Sequence, residues 1–251
     1  NNQTDKLLPA ARSMTRIIKD QLSTIKPVFT ELIDNFKHNG EEDYVGTFDA
    51  PMSILNQRIS ASRRIAAQSY DIERFRKVAQ AFDMSINDVV LAVCSGALRN
   101  YLMAMDALPS KPLIAFVPMS LRYDESASGN QITFLMANLG THLDDPVRRL
   151  QVIHGSMSSG KRRFQRMNPA QIINYSAIAY AWEGLNVLTG LFPRKQAFNL
   201  IISNVPGSKK ELFWNGAPLK ALYPASILVD GQGLNITLAS YLDRIEFCIT
   251  A

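Results

Sequence analysis

The segment at residues 198–207 reads Phe-Asn-Leu-Ile-Ile-Ser-Asn-Val-Pro-Gly and constrains the fold more than any other part of the chain. Its central apolar residues are typical of a β-strand that is covered on both faces. Pro206 cannot continue a hydrogen-bonded ladder, and Gly207 permits a chain reversal. Ser203 and Asn204 are therefore expected at the end of a buried strand, where site residues of α/β folds are commonly found.

A second phrase, Asn-Asp-Val-Val-Leu-Ala at residues 87–92, opens an apolar stretch that predicts a helix to about Met105. Ser85 and Asp88 have the three-residue spacing of a capping-box variant, so Asp88 can satisfy backbone donors and oppose the helix dipole. This structural interpretation is favoured for Asp88. The amide of Asn87 can either bridge two loops or orient a substrate, and both interpretations stay open.

Four phrases occur in one order: Asn-Asp-Val-Val-Leu-Ala at 87–92, Pro-x-Ser-x-Arg at 118–122, Gly-Asn at 129–130, and Ser-Asn-Val-Pro-Gly at 203–207. In this order they resemble the C-terminal half of the wax ester synthase/diacylglycerol acyltransferase family. That family belongs to the chloramphenicol acetyltransferase-like, CoA-dependent acyltransferases. The resemblance covers nearly all of the chain and departs at Ser208, where the family usually has a second proline.

The resemblance implies transfer of a fatty acyl group from acyl-CoA to a long-chain alcohol or a diacylglycerol. In the family, a His-His-x-x-x-Asp-Gly motif supplies the general base. Here His38, His142 and His154 are widely separated, and none of them begins such a motif. Each is predicted to be structural or solvated. The catalytic base is therefore expected on an absent N-terminal half, with no catalytic residue in this chain and no cofactor besides acyl-CoA as substrate.

The resemblance also implies a set of residues that bind substrate or shape the site. They are Asn87, Asp88, Ser203, Asn204, Val205, Pro206 and Gly207. Ser203 or Asn204 could donate a hydrogen bond to the developing oxyanion or shape the wall of a tunnel. A Ser-Asn pair before Pro-Gly also makes an ordinary turn, so the alternative remains structural.

A bulky acyl chain needs an apolar channel, and the predicted strand at residues 223–229 is the candidate for part of its lining. Small residues there are flanked by large ones. The channel candidates are Tyr223, Ala225, Ser226 and Leu228.

Asp145 and Pro146 predict the start of a helix that continues to about Arg166. Its last turns are basic, and arginine pairs with phosphate in a forked geometry. The candidates for contact with CoA phosphates are Lys161, Arg162 and Arg163. The favoured alternative is that these residues only oppose the helix dipole. No nucleic-acid partner is expected, because aromatic residues are not interleaved with the basic ones and no recognised motif occurs.

Helical and strand patterns alternate along the chain, and strands accumulate towards its end. This order predicts an α/β fold with a mixed β-sheet and flanking helices, a CoA-dependent acyltransferase-like C-terminal domain. The predicted strands are 64–70, 113–119, 132–139, 198–203, 223–229, 234–241 and 244–249. The predicted helices are 71–82, 85–105, 145–166 and 169–191. Trp214-Asn215-Gly216 predicts a hairpin-like turn.

Two regions are predicted, a connector helix region with a linker at 1–45 and the C-terminal acyltransferase domain at 46–251. Apolar residues between 7 and 36 recur every three or four positions, with Pro27 dividing the helix. This helix is interpreted as a connector packed against the protein. The alternative is a basic amphipathic helix on a membrane or lipid body.

Composition excludes several classes of protein. Hydrophobic residues make up 47% and charged residues 20%, as in a globular chain and not a disordered one. Cys94 and Cys248 lie in apolar stretches, so neither a disulfide framework nor a metal site is expected. The two cysteines indicate a reducing compartment. The net charge of +5 is compatible with anionic partners such as CoA phosphates or acidic lipids.

The predicted location is the cytoplasm, at the periphery of a membrane or lipid inclusion where the enzyme meets lipid. The expected partners are acyl-CoA, a long-chain alcohol or diacylglycerol, and the N-terminal half of the same enzyme. The chain begins at Asn1 and ends in a strand pattern, so both ends are interpreted as cuts. Two alternatives share the fold: a non-catalytic half that binds CoA, lipid or a polypeptide, and a condensation-type domain.

Overall fold

A computed structural model of the chain describes residues 45–46, 49–120, 132–166, 171–172 and 196–251. Only the backbone is described at Ser120 and Ile132. Several predictions lie outside these residues: the connector helix, Arg122 of the Pro-x-Ser-x-Arg phrase, the Gly-Asn phrase at 129–130 and nearly all of the helix at 169–191.

Within the described residues, six strands form one mixed sheet, and two short strands form a separate hairpin. The strands are β1 (Ile65–Asp71), β2 (Ile114–Ser120), β3 (Ile132–Asn138), β4 (Leu200–Val205), β5 (Phe213–Trp214), β6 (Ala217–Pro218), β7 (Asn235–Tyr241) and β8 (Arg244–Thr250). The order in the main sheet is β1-β8-β7-β4-β2-β3. Strand β4 pairs in parallel with β2 and β7, and the other neighbours are antiparallel. The predicted mixed sheet is confirmed.

The described part of the chain has three α-helices, which begin where the capping residues predict. They are α1 (Ile72–Ala81), α2 (Ile86–Ala104) and α3 (Pro146–Gln165). Asp71 caps α1, and its Oδ1 accepts a hydrogen bond from the Glu73 N–H at 2.8 Å. Helix α2 has the complete capping box, in which Ser85 and Asp88 exchange hydrogen bonds of 3.1 and 3.2 Å. Asp145 caps α3, with Pro146 at its first position.

The three helices cover one face of the sheet. Alternate residues of five strands, such as Val117, Ile202 and Leu238, join buried residues of the helices in one core. A smaller cluster lies on the other face, where Ile114 and Phe198 meet. Side chains therefore divide between the two faces by the two-residue period of the strands, and this period decides which strand residues face the helices.

Two strand predictions need correction. Strand β4 does not end at Ser203 but continues to Val205, because β7 offers a parallel partner as far as Ala239. The segment at 223–229 is not a strand. It crosses the sheet face opposite the helices, where the Tyr223 hydroxyl lies 2.8 Å from the Ser69 hydroxyl. Side-chain contacts replace a ladder there, and Pro224 lacks the N–H that a ladder needs.

The predicted turn between Trp214 and Ala217 is confirmed as a tight hairpin. Asn215 and Gly216 have positive φ values of 47° and 81°, as the turn of a two-residue hairpin requires. The hairpin holds apolar side chains in solvent, and Trp214 is 83% exposed.

Asn199 joins three segments at the point where β2 and β4 first meet. Its Oδ1 accepts a hydrogen bond from the Ile114 N–H at 2.9 Å. Its Nδ2 donates to the Pro51 carbonyl and to the Asn56 Oδ1, each at 2.7 Å. Asn56 in turn donates to the carbonyls of Asn199 and Gly231. Burial of this fully paired group holds β4 in register with β2.

Among the described residues, no single helix has the length and apolar character to cross a membrane. Taken together, α1 and α2 are long and apolar enough to do so by length and composition alone, but the chain bends by 105° between them. Much of α2 belongs to the buried core of the protein, which accounts for its apolar character.

Candidate functional site

Strands β2 and β4 pair over two residue positions and then separate. The register holds at Ala115 opposite Leu200 and at Phe116 opposite Ile201. The N–H and C=O groups of Ile114 both bond to Asn199, so the alternating backbone also turns the nitrogens of Phe116 and Pro118 towards β4. Pro118 has no N–H to donate, and the ladder ends before it.

A cavity of about 410 Å³ lies where the two strands separate, between the sheet and the helices. It is located beyond the carboxyl ends of parallel strands, the usual position for ligand sites in α/β sheets. Its lining consists of Ile72, Ile86, Asn87, Val117, Pro118, Met119, Met157, Lys161, Asn204, Pro206, Ser240 and Ile245. A few polar groups in a mostly apolar lining are typical of small-molecule sites.

Two amides from distant parts of the chain meet in this cavity. Asn204 Nδ2 lies 3.5 Å from Asn87 Oδ1, a long and weak hydrogen bond between β4 and the first turn of α2. Within the described part of the chain, Asn87 Nδ2 and Asn204 Oδ1 have no hydrogen-bond partner. Asn87 thus contacts β4, and both amides retain hydrogen-bonding capacity towards the cavity.

The two residues predicted as oxyanion donors lie on opposite faces of the sheet. Asn204 alternates with the buried Ile202 and lines the cavity with the helices. Ser203 and Val205 are therefore on the other face, and the side chain of Val205 is half exposed. Of the predicted pair, only Asn204 reaches the cavity.

Gly207 is required by a close approach and not by chain reversal. The φ angle of Gly207 is not positive, so its backbone conformation does not itself require glycine. A Cβ atom at Gly207 would lie 1.8 Å from the Ser240 carbonyl oxygen. The Gly207 N–H donates to the Ser240 Oγ at 2.9 Å. This contact ties the end of β4 to β7 and brings Pro206 to the cavity wall.

A buried carboxylate and a histidine stand beside the two amides. His154 Nδ1 on α3 lies 3.0 Å from Asp88 Oδ2, and the Asp88 side chain is only 3% exposed. His154 Nε2 lies 3.4 Å from the Ser158 Oγ. The prediction for His154 named no partner, because 66 residues separate it from Asp88 and no local signal connects them.

Of the three predicted phosphate contacts, only Lys161 lines the cavity. Arg162 is exposed, and Arg163 is partly buried in the last turn of α3. The predicted channel residues also lie apart from the cavity. Ser226 Oγ is 2.7 Å from Thr237 Oγ1 on the opposite face of the sheet, so the segment at 223–229 covers that face.

Neither cysteine is placed for chemistry in the cavity. Both are buried and free, and burial raises the pKa of the Cys94 thiol to about 12. Burial also raises the pKa of Cys248. A thiol with a raised pKa is a poor nucleophile at neutral pH. Among the described residues, no group of His, Cys, Asp or Glu side chains is arranged to hold a metal ion.

The fold defines the class of protein. The chain is similar to the starter condensation domain of rhizomide synthetase, which was solved with C8-CoA. The TM-score is 0.53 at 12% identity over 90% of this chain and 47% of that one. At this identity the likeness shows the fold alone, an α/β fold shared by condensation domains and CoA-dependent acyltransferases. The predicted fold class is confirmed.

Closer matches define the family. The structure of the wax ester synthase/diacylglycerol acyltransferase from Marinobacter aquaeolei is 42% identical, with a TM-score of 0.73 over 89% of this chain and 50% of that one. Residues 2–90 match the model of the wax ester synthase/diacylglycerol acyltransferase catalytic domain, and residues 128–251 match that of the WS/DGAT C-terminal domain. The chain belongs to the wax ester synthase/diacylglycerol acyltransferase family.

A curated relative agrees with this assignment. The O-acyltransferase WSD of Acinetobacter baylyi is 57% identical over 236 residues, which are 93% of this chain and 52% of that protein. The chain spans about half the length of the curated relatives that it matches. The family resemblance in the sequence is confirmed, and the division at residue 45 stays a prediction.

Proposed function

We propose that this chain is part of an O-acyltransferase that moves a fatty acyl group from acyl-CoA to a long-chain alcohol or a diacylglycerol. One observation carries the proposal for this chain. In a member of the family, Asn87 and Asn204 converge on one cavity at the carboxyl ends of β2 and β4. Two amides with spare hydrogen-bonding capacity beside an apolar lining suit a carbonyl group attached to an alkyl chain.

The chemistry needs a base and a hydrogen-bond donor. A histidine of the family motif, on a part of the protein beyond this chain, removes the proton of the acceptor hydroxyl. The oxygen attacks the thioester carbonyl, the C–S bond breaks, and the CoA thiolate takes up the proton. Asn204 and Asn87 contribute N–H donors for the carbonyl oxygen as negative charge develops on it. No metal or redox cofactor enters these steps.

Among the described residues that line the cavity, Lys161 is the one with a cationic side chain. An ammonium group there can pair with a phosphate of CoA or stabilise the departing thiolate. Arg162 and Arg163 follow it on α3 and are proposed as further phosphate contacts nearer the surface. Tyr223, Ala225, Ser226 and Leu228 remain channel candidates on the other face of the sheet, for a part of the lipid that leaves the cavity.

The proposed protein partner is the N-terminal half of the same enzyme. Such a half would cover apolar side chains that are exposed here, and the β5–β6 hairpin presents Phe213 and Trp214 to solvent. Lys209, Lys210 and Lys220 flank the hairpin, so contact with an anionic lipid surface is proposed as a second use. The proposed location is the cytoplasm, with peripheral association at membranes or lipid inclusions.

The test is acyl transfer by the intact protein that contains this chain, with palmitoyl-CoA and hexadecanol or a diacylglycerol and with thiol release as the signal. Turnover is expected, together with a large loss in the Asn87→Ala variant that leaves thermal unfolding unchanged. Arg162→Ala, at an exposed position outside the cavity, is expected instead to raise KM for acyl-CoA with little change in kcat. Acyl-CoA binding without turnover would instead identify a non-catalytic binding protein and reject the proposal.

A further inference from the structure

Helices α2 and α3 are joined by a side-chain contact at the residue that follows Asn87 in the chain. Helix α3 contributes His154, and α2 contributes Asp88, with 3.0 Å between Nδ1 and Oδ2. Asp88 Oδ2 also accepts the Ser85 N–H at 3.1 Å, while Asp88 Oδ1 has no hydrogen-bond partner among the described residues. A carboxylate that is 3% exposed therefore depends on two donors, and one of them is His154.

The carboxylate partner decides the direction of the hydrogen bond at His154 Nδ1. A carboxylate only accepts hydrogen bonds, so Nδ1 carries the proton that points at Asp88. Nε2 lies 3.4 Å from the Ser158 Oγ. In this arrangement His154 acts on Asp88 through Nδ1, and its other nitrogen has only a weak contact.

The position of Asp88 decides the position of Asn87. Asp88 is the third residue of α2 and anchors the capping box of its first turn. Asn87 precedes it and holds the 3.5 Å contact with Asn204 in the cavity. A first turn released from α3 could rotate, and the Asn87 amide would then leave the place where the two amides meet.

We propose that His154 is a positioning residue for acyl transfer, which holds the first turn of α2 through Asp88 and so aims Asn87 at the reacting carbonyl. The inference rests on the proposed function for its effect on turnover. His154 is not part of the cavity lining, although Met157 and Lys161 on the same side of α3 are. Its role is therefore indirect and needs no contact with substrate.

Two amide substitutions of His154 separate the role of Nδ1 from that of the ring as a whole. In His154→Asn the amide nitrogen can occupy the place of Nδ1 and keep the bond to Asp88. In His154→Gln it occupies the place of Nε2 and loses that bond. In the intact protein we expect kcat close to wild type for the first variant, and a loss on the order of 10- to 100-fold with little change in KM for the second.

The pair contains its own control for helix stability. Glutamine is a better helix former than asparagine, so a loss confined to His154→Gln cannot come from helix propensity. Ser158→Ala removes the partner of Nε2 and is expected to leave kcat unchanged.

A double mutant tests the route of action. If His154 works through Asn87, then His154→Gln should cause little further loss when Asn87 is already replaced by alanine. Full additivity of the two losses would overturn the proposal. Equal activities of His154→Asn and His154→Gln would overturn it as well.

A spectroscopic measurement gives a readout that does not depend on turnover. The side-chain amide signal of Asn204, identified by its absence in Asn204→Leu, should shift in His154→Gln and stay in place in His154→Asn. If the wild-type protein shows no acyl transfer while this pattern holds, the proposed function fails and the positioning role stands. If the Asn204 signal is the same in both variants, the positioning role is wrong whatever the turnover.

Discussion

The two ends of the β2–β4 pair use asparagine in opposite ways. At the joined end, Asn199 is buried and its side chain makes three hydrogen bonds of 2.7 to 2.9 Å. At the open end, after Pro118, the amides of Asn87 and Asn204 share one contact of 3.5 Å. Fully paired amides stabilise a fold, whereas amides with spare donors and acceptors can bind a ligand. One short strand pair thus has a structural end and a candidate functional end.

The largest expected effect on stability is at the joined end. Asn199→Ala would leave the Ile114 N–H, the Pro51 carbonyl and the Asn56 Oδ1 without their partner in a buried region. We expect the free energy of unfolding to fall by about 3 to 5 kcal/mol, measured by denaturant unfolding of the intact protein. Asn204→Ala at the open end is the control and should change stability by less than about 1 kcal/mol. Similar losses in both variants would contradict the comparison.

Gly207→Ala should have the next largest effect, because its Cβ would meet the Ser240 carbonyl oxygen at 1.8 Å. Backbone on both sides of the contact must move, at a cost of about 3 kcal/mol. Gly216→Ala is a matched control, since φ is +81° there but no atom lies within 4 Å of the added Cβ. Its expected cost is about 1 kcal/mol from backbone strain alone. The reverse ranking in thermal unfolding would show that chain reversal, not close approach, requires Gly207.

The two faces of β4 predict a contrast in activity at the open end. Asn204→Ala removes a donor from the cavity, and kcat for acyl transfer should fall by about 100-fold. Ser203→Ala changes the neighbouring side chain on the opposite face and should lower kcat by no more than a few-fold. The measurement is thiol release from acyl-CoA under saturating substrate. A larger loss for Ser203→Ala would move the site to the other face of the sheet.

Pro118→Ala should have the smallest effect and tests why the strands separate. The substitution restores an N–H that points towards β4, so the ladder can extend and the cavity can narrow. We expect a few-fold loss of kcat and a change in stability within about 1 kcal/mol. Hydrogen exchange should show protection of the new amide at position 118. A freely exchanging amide with unchanged turnover would mean that the absent N–H is not what ends the ladder.

Features that depend on neighbouring residues could be predicted from the sequence. The capping box of α2 is an example, because Ser85 and Asp88 are three residues apart and both atoms of each bond belong to one helical turn. The Asn215-Gly216 turn is another, since only certain residues adopt positive φ readily. The strand order could be anticipated only as a mixed sheet, because pairing of β4 with β2 and β7 joins distant parts of the chain.

The errors have a common physical cause. The segment at 223–229 has the composition of a strand, yet a strand also needs an edge with which to pair, and this segment crosses the sheet face instead. Ser203 and Asn204 are expected at the end of a strand, but β7 extends β4 through both of them and places them on opposite faces. In each case the outcome depended on a partner that local pattern does not reveal.

The sequence by itself determined the family, the helix starts and the residues available for the site, because motifs and caps are properties of short segments. Only the tertiary structure decided which of those residues meet. Asn87 and Asn204 are 117 positions apart, and His154 and Asp88 are 66 apart. The separation of β2 from β4 forms the cavity between them, and packing of α3 on α2 brings a histidine to a buried carboxylate. Such contacts follow from the packing of whole elements, which no local spacing encodes.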